Sequence, residues 1–477
     1  MKEKGSKSLV NLSTRTFIQV VVLLFVLMLA AIVLTYVIPK GEFGVTADGE
    51  TDYLDYRPIE GVKGIPVWKG LLAPILVFGS SNGLTLIMLS LFLVMVFAAF
   101  QVMNDVGGIR ALVGAVAARF RKRRELLLCM IALVFMAFGA FLGLFEEMLS
   151  MLPIVTALCV LIGYDSFTGF LASIIACGFG FASAITNPFT VLLASEIIDT
   201  NPMENIWYRV LIFAVMYLLL LGFIFLYVRK LKKDPASSLT RAHDENLRAA
   251  GKADEQNAPA PQDEKRIRLT YVVFLLVCLG LIIACSAVSA LRDYTVVVLI
   301  AYFLIFGLLA GFLSAKSVKP VLKSFWNGIV GALPTIVFIA LASSIKYIFD
   351  EGAIMPTIVH SINTLVSGHS PFLVALVLYA IILVLEFFIS SSTAKAILVM
   401  GMLAVVSVPL SRQMLVLIYT FADGYTNVLF PTSPVLLISL SMIEVDYFKW
   451  VKKSVPLFVA NLALVLAFIA IGIAFGY

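Results

Sequence analysis

The 477-residue chain is 61% hydrophobic and 13% charged, against roughly 45–50% and about 25% in soluble domains, which excludes a water-soluble globular protein. Its formal charge of +6 does not imply a nucleic-acid partner, because the basic residues cluster beside apolar runs and read as membrane-topology signals. No Walker loop, zinc-spaced Cys/His set or Gly-x-Ser-x-Gly occurs, so the chain does not read as an enzyme and implies no cofactor.

In chain order, Lys2, Lys4, Lys7 and Arg15 precede a first apolar run at 16–38 and place the N-terminus in the cytoplasm. That run is too long for a signal-peptide core and is predicted to stay as a helix. The stretch from Lys40 to Lys63 is acidic on balance (Glu42, Asp48, Glu50, Asp52, Asp55, Glu60) and belongs outside. A second run at 84–104 leads to the cluster Arg119, Arg121, Lys122, Arg123, Arg124, which returns the chain to the cytoplasmic face. Runs at 206–229, 268–288, 294–313, 325–348 and 455–476 are also about long enough for a 30 Å hydrocarbon core. Between the first two of these lies a polar stretch, 235–265, rich in Ala, Asp, Glu and Pro and predicted to be a flexible cytoplasmic linker. Lys316, Lys319 and Lys323 mark another inside turn, Lys449, Lys452 and Lys453 the last, and Tyr477 is left outside. The predicted units are an N-terminal helix and external loop (1–83), a first repeat (84–229), the cytoplasmic linker (230–267) and a second repeat (268–477).

The same landmarks occur twice in the same order. Asp105, Gly107, Gly108 and Ile109, then Glu146-Glu147, then Thr186-Asn187-Pro188 are matched by Asp350, Gly352, Ala353 and Ile354, then Glu386, then Thr426-Asn427 with Pro431. Forty residues separate Glu147 from Asn187, and forty-one separate Glu386 from Asn427. Charge parity admits a hairpin over 125–163 dipping in from the cytoplasm and one over about 371–408 dipping in from outside; four full crossings would satisfy it as well. The segments 166–195 and 412–440 carry Gly and Pro and should unwind near the Asn. The predicted fold is an all-α polytopic membrane protein of two inverted repeats, each with a re-entrant hairpin and a broken helix. That pattern is the signature of a secondary transporter.

The candidate residues follow from this layout. Unwound backbone inside a bilayer is tolerated where it lines a cavity or protein interior, so Asn187, Thr190, Asn427 and Thr432 are candidates for substrate binding. Thr186 and Thr426 are candidates for an ion site, with sodium near Asn187 and Asn427. The alternative is a pair of proline-kinked packing helices. An acid at the bilayer centre costs roughly 2.5–3.5 kcal/mol, so Glu146, Glu147, Glu386 and Asp423 are candidates for coupling sodium or protons, unless they sit wetted at an interface. Ser390, Ser391, Ser392 and Thr393 offer substrate hydrogen bonds. Lys395 holds a substrate carboxylate, pairs with Glu386, or snorkels to the interface. Gly139 and Gly143 give a small-residue face suited to close approach within the first hairpin. Cys129, Cys159, Cys177, Cys278 and Cys285 all lie in apolar stretches, and His243, His360 and His369 are scattered, so no disulfide or metal site is predicted.

These motifs carry a resemblance over nearly the whole length. Ile38-Pro39-Lys40-Gly41-Glu42-Phe43, Gly163-Tyr164-Asp165-Ser166-Phe167-Thr168-Gly169, Asn187-Pro188-Phe189-Thr190, Asp423-Gly424-Tyr425-Thr426-Asn427 and Pro431-Thr432-Ser433 are similar to motifs of the YfcC/DcuC-like family of anaerobic carriers, within the ion-transporter superfamily. The resemblance implies four-carbon dicarboxylates as substrates or, in some members, exchange of arginine for ornithine. It also implies a homodimer, an elevator movement and a multi-pass protein of the cytoplasmic membrane of a prokaryote. Where relatives often have Asn-Phe-Phe-Ile-Pro-Ser-Gly-Ser-Gly-Gln, this chain has Glu386-Phe387-Phe388-Ile389-Ser390-Ser391-Ser392-Thr393-Ala394-Lys395. Four acids against one lysine suit an amino-bearing substrate, or acids neutralised by protons or sodium. The expected function is an ion-coupled carrier or exchanger of small carboxylates or amino acids; a channel is the more distant alternative.

The charge pattern sets a topology test. Single cysteines placed at Glu255 and Asp52 should be shielded from and open to an impermeant thiol reagent in intact cells, respectively; external labelling at Glu255 would overturn the predicted orientation.

Overall fold

The computed structural model describes residues 14–45, 51–61, 64–81, 83–120, 122–256, 261–287, 291, 294–315, 317–366, 369–389, 392–405 and 408–477. Lys2, Lys4, Lys7, Asp48, Glu50, Lys63, Arg121, Lys316, Ser390 and Ser391, singled out above, lie outside these residues.

Among the described residues, eight helices are long and apolar enough to cross a membrane. Seven coincide with the apolar runs. Helices Thr14–Val37, Gly83–Asp105, Thr295–Ser314 and Val318–Glu351 pack on one another, and Pro261–Ala287 lies against Thr295–Ser314. Gly328 permits one of these approaches: a Cβ there would lie 2.5 Å from Ala98 Cα. In lipid, such small residues let dispersion contacts between backbones do what the hydrophobic effect cannot.

The eighth helix, Arg124–Leu142, has the length of a span and is followed by a turn. It ends in a π-turn at Phe138–Leu142, Gly143 takes φ +69°, and a 3-10 turn at Glu147–Ser150 leads into Leu152–Leu161. That return arm has ten residues, half of the roughly 20 a span requires. Arg124 Nη1 donates to the Ile162 carbonyl at 3.3 Å, so the two feet of this first hairpin meet. A second pair of short arms, Pro371–Glu386 and Ser392–Val405, has 16 and 14 residues. Each pair is followed by a broken helix: Ser166–Ala182 then Pro188–Ile197, and Arg412–Thr426 then Pro434–Met442. Both breaks fall at the Asn–Pro landmarks.

Gly139 and Gly143 do not serve as a face within the first hairpin. A Cβ on Gly139 would lie 2.1 Å from the Cys177 carbonyl of the first broken helix, and Gly143 is the left-handed residue that stops the descending arm.

The loops gather into two sets, separated by the 28-residue helix Ile206–Lys233, which is about 42 Å long. At its start, Asn205 Nδ2 donates to Gln413 Oε1 at 3.3 Å, Arg412 Nη1 donates to the Asp199 carbonyl at 2.7 Å, and Ser411 Oγ donates to the Tyr477 carbonyl. At its end, Lys232 pairs with Glu125 at 2.8 Å and Tyr227 OH donates to Asp165 Oδ2 at 2.5 Å.

Two stretches expected as loops are ordered. Gly41–Val45 and Thr51–Pro58 form an antiparallel β-hairpin with a register shift at Phe43/Gly44. It is pinned by the Gly41 N–H on the Ala353 carbonyl (3.0 Å) and by Tyr56, which stacks on His360 at 4.1 Å. The other is the linker, which the sequence reading made flexible. Its helix Arg241–Gln256 is docked at the first hairpin's foot. Asp244, 2% exposed, accepts from Ser166 Oγ at 2.5 Å, Thr240 Oγ1 at 2.8 Å and the Ser166 N–H at 3.2 Å. Ser238 Oγ donates to Asp165 Oδ2 at 2.7 Å, and Arg248 Nη2 to the Tyr164 carbonyl at 3.3 Å. Hydroxyl and carboxylate pairing holds this segment where apolar burial cannot.

Hydrogen bonds to a charged group contribute roughly 1.5–3 kcal/mol, so Asp244→Ala should release the helix. Limited proteolysis should then cut within 241–256 faster than in the parent; equal cleavage would show that the docking does not depend on Asp244.

Candidate functional site

Two parts of the chain deliver the site: the tip between the arms Pro371–Glu386 and Ser392–Val405, and the end of helix Arg412–Thr426. The first arm stops at Glu386 and the chain turns through Phe387–Ile389. Lys395 lies in the first turn of the second arm. Its Nζ contacts the Glu386 carboxylate, lies 2.7 Å from Asp423 Oδ1 and donates to the Ile389 carbonyl at 3.2 Å. The three side chains are 0–1% exposed. Asp423 Oδ2 accepts from Ser392 Oγ at 2.8 Å, and Glu386 Oε2 from Thr426 Oγ1 at 3.1 Å. Tyr419 OH donates to the Ser392 carbonyl at 2.5 Å and fixes the start of the second arm.

Of the three roles open to Lys395, snorkelling is excluded, because its ammonium has no exposure. It is paired, with Asp423 as a partner beyond Glu386. Neither Glu386 nor Asp423 is wetted at an interface.

In the first copy the arrangement differs. Asn187 is fully buried and caps the helix Pro188–Ile197: its Oδ1 accepts from the Phe189 and Thr190 N–H groups at 2.9 and 3.3 Å, and its Nδ2 donates to the Gly139 carbonyl at 3.1 Å. A side-chain oxygen at an N-cap is the usual way to satisfy these orphan donors. Thr186, half-buried, donates to the Phe141 carbonyl at 3.3 Å. Among the described residues, Thr190 Oγ1 is buried without a partner, as is Glu147 Oε2. Glu146 is exposed, yet near enough to Asp423 for their charges to interact.

The remaining candidates are more dispersed. Asn427 Nδ2 donates to the Asp423 carbonyl at 2.9 Å, Thr432 is buried in the second break, and Thr393 is exposed. The two copies meet at their breaks. A Cβ on Gly424 would lie 2.1 Å from Ala182 Cα, and the Phe179 and Tyr425 rings are 5.2 Å apart at 73°.

The sequence reading passed over Arg209. It is 3% exposed and donates to the Ala184 carbonyl in the first unwound stretch at 3.4 Å. The available signal was an arginine within the first turn of an otherwise apolar span.

Residues 17–474 match the family model described as "C4-dicarboxylate anaerobic carrier", DcuC. A relative in Escherichia coli (strain K12), YfcC, described as a candidate basic amino acid antiporter, is 26% identical over 84% of this chain and 79% of its own length. An uncharacterized protein of Haemophilus influenzae is 25% identical over 75% of this chain and 69% of its own. Among solved structures, the YdaH transporter of Alcanivorax borkumensis is 15% identical with a TM-score of 0.47, covering 96% of this chain and 99% of that chain.

Removing one partner of a buried ion pair costs roughly 3–5 kcal/mol, because the other charge stays buried. Lys395→Met should therefore lower melting steeply in sodium-free buffer. Glu386→Gln should lower it much less, since Lys395 keeps Asp423. Equal losses for the two variants would contradict the arrangement described.

Proposed function

The chain belongs to the C4-dicarboxylate anaerobic carrier family, and on that premise we propose that this membrane transporter is a secondary active exchanger whose preferred substrates carry an amino or guanidino group. The observation that carries this reading is the Glu386–Lys395–Asp423 cluster. Its lysine is already matched by two carboxylates, so a dianion meets no unmatched cation there, whereas a cationic group meets surplus acid. Glu146 and Glu147, after the turn of the first hairpin, add two further acids. The description of the Escherichia coli relative as a candidate basic amino acid antiporter points the same way.

In this reading the substrate's carboxylate lies near the start of helix Pro188–Ile197, where the helix dipole favours an anion; Asn187 already accepts from the Phe189 and Thr190 N–H groups. Thr190 Oγ1, buried and without a partner among the described residues, supplies a donor there. Dicarboxylate carriage is the second reading, favoured by the family's description and by this helix terminus.

In the proposed mechanism the two hairpin and broken-helix units form one transport body. They lie inverted with respect to each other and slide as an elevator past the body built on Gly83–Asp105 and Val318–Glu351, within a homodimer in the cytoplasmic membrane. The N-terminus is inside and the C-terminus outside. Glu146 stands at the mouth and the buried cluster behind it. Loading deforms the cluster, which ties the tip of the second hairpin to the state of the site.

Counterflow in proteoliposomes tests this. Internal arginine, ornithine or lysine should accelerate uptake of labelled arginine, and succinate or fumarate should not. Trans-stimulation by dicarboxylates alone would replace the amino-bearing substrate by the second reading. Conductive, non-saturating flux without trans-stimulation would point to a channel.

A further inference from the structure

The oxygens around the Lys395 ammonium have the composition of a cation site. Two are carboxylates, from the end of one hairpin arm and from the broken helix, and the third is the Ile389 carbonyl in the turn between the arms. An ammonium has three donors and no acceptor, and here three oxygen groups receive it with no exposure to solvent. Hard cations are held by the same donor types, carboxylate and carbonyl oxygen. The carboxylates are in turn held by Ser392 and Thr426 hydroxyls, as the ligands of an ion site are held by their surroundings. The Asn187 oxygen, one of the groups that suggested a sodium cage in the sequence, caps a helix instead.

We propose that Lys395 is a tethered cation filling the place of a coupling sodium or potassium ion, so that transport proceeds without either. This deepens the carrier reading above and rests on it. The tethered charge travels with the hairpin in both directions, loaded or empty, so it neither enters nor leaves solution. The charge moved per cycle is then set by the substrates alone, and a one-for-one swap of equally charged substrates is electrically silent. A metal ion at the same place would instead have to be bound and released in each cycle, and its gradient would drive the carrier.

The test measures ion binding without substrate, so it stands apart from the transport assay. Purified protein is melted in sodium, potassium and choline chloride at equal ionic strength. The parent should melt at one temperature in all three. Lys395→Ala, whose carboxylates have lost their cation, should melt lower in choline and rise along a saturating curve as sodium or potassium replaces it. Glu386→Gln/Lys395→Ala, which keeps one carboxylate, should respond in the same direction but less, and it carries the test if the single variant does not fold. In proteoliposomes, exchange by the parent should run at the same rate with choline on both sides as with sodium. A saturable sodium or potassium shift in the parent overturns the proposal. So does cation-independent melting of the folded variants, or exchange that requires sodium.

Discussion

A buried ammonium held by two carboxylates from different elements is the constraint around which the second repeat is arranged. Taking such charges out of water costs several kcal/mol per ion, and their attraction offsets this only when geometry and secondary hydrogen bonds are in place. Glu386, Lys395 and Asp423 meet that condition because the second hairpin doubles back at Phe387–Ile389 and its tip lies against helix Arg412–Thr426. Ser392, Thr426 and Tyr419 complete the set. Any displacement of the tip that parts Lys395 from Asp423 leaves a charge without its partner in a dry site. The tip is therefore held against helix Arg412–Thr426 by electrostatics as well as by apolar packing.

The same economy of polar groups runs through the first repeat with other means. Asn187 satisfies the start of a half-helix and reaches across to the Gly139 carbonyl of the hairpin, so one amide joins the two elements. Here the polar tie is neutral; Glu146 is exposed, and Glu147 Oε2 is buried without a partner among the described residues. The two repeats thus share an order of elements but not a charge distribution.

How much of this could be read from the sequence depends on the range of the signal. The spans and the breaks are written in local hydropathy and in the Asn and Pro landmarks, and these were legible; Gly143, read as a packing face, is instead the left-handed residue that ends the arm. The pairing of Lys395 with Glu386 was one of three options, because nine residues across a turn set no geometry; Asp423 joined it only through tertiary contact. The linker misled because composition reports apolar burial, whereas Asp244 docks by hydrogen bonds to Ser166 and Thr240. The β-hairpin at Gly41–Pro58 was hidden by its acidic residues, and Arg209 because its contact with the Ala184 carbonyl is tertiary.

The seam between the breaks has a consequence for how this chain can vary. At Gly424 the backbone of one half lies against Ala182 of the other, with no room for a methyl group. Packed cores accept larger side chains when neighbouring rotamers shift, but here the neighbour is main chain, which has no rotamers to shift. Drift in either half is confined at this place by the other: a side chain gained at Gly424 has to be matched by a backbone retreat at Ala182. The halves are free to diverge in charge, as their acids and lysine show, and bound to each other in shape.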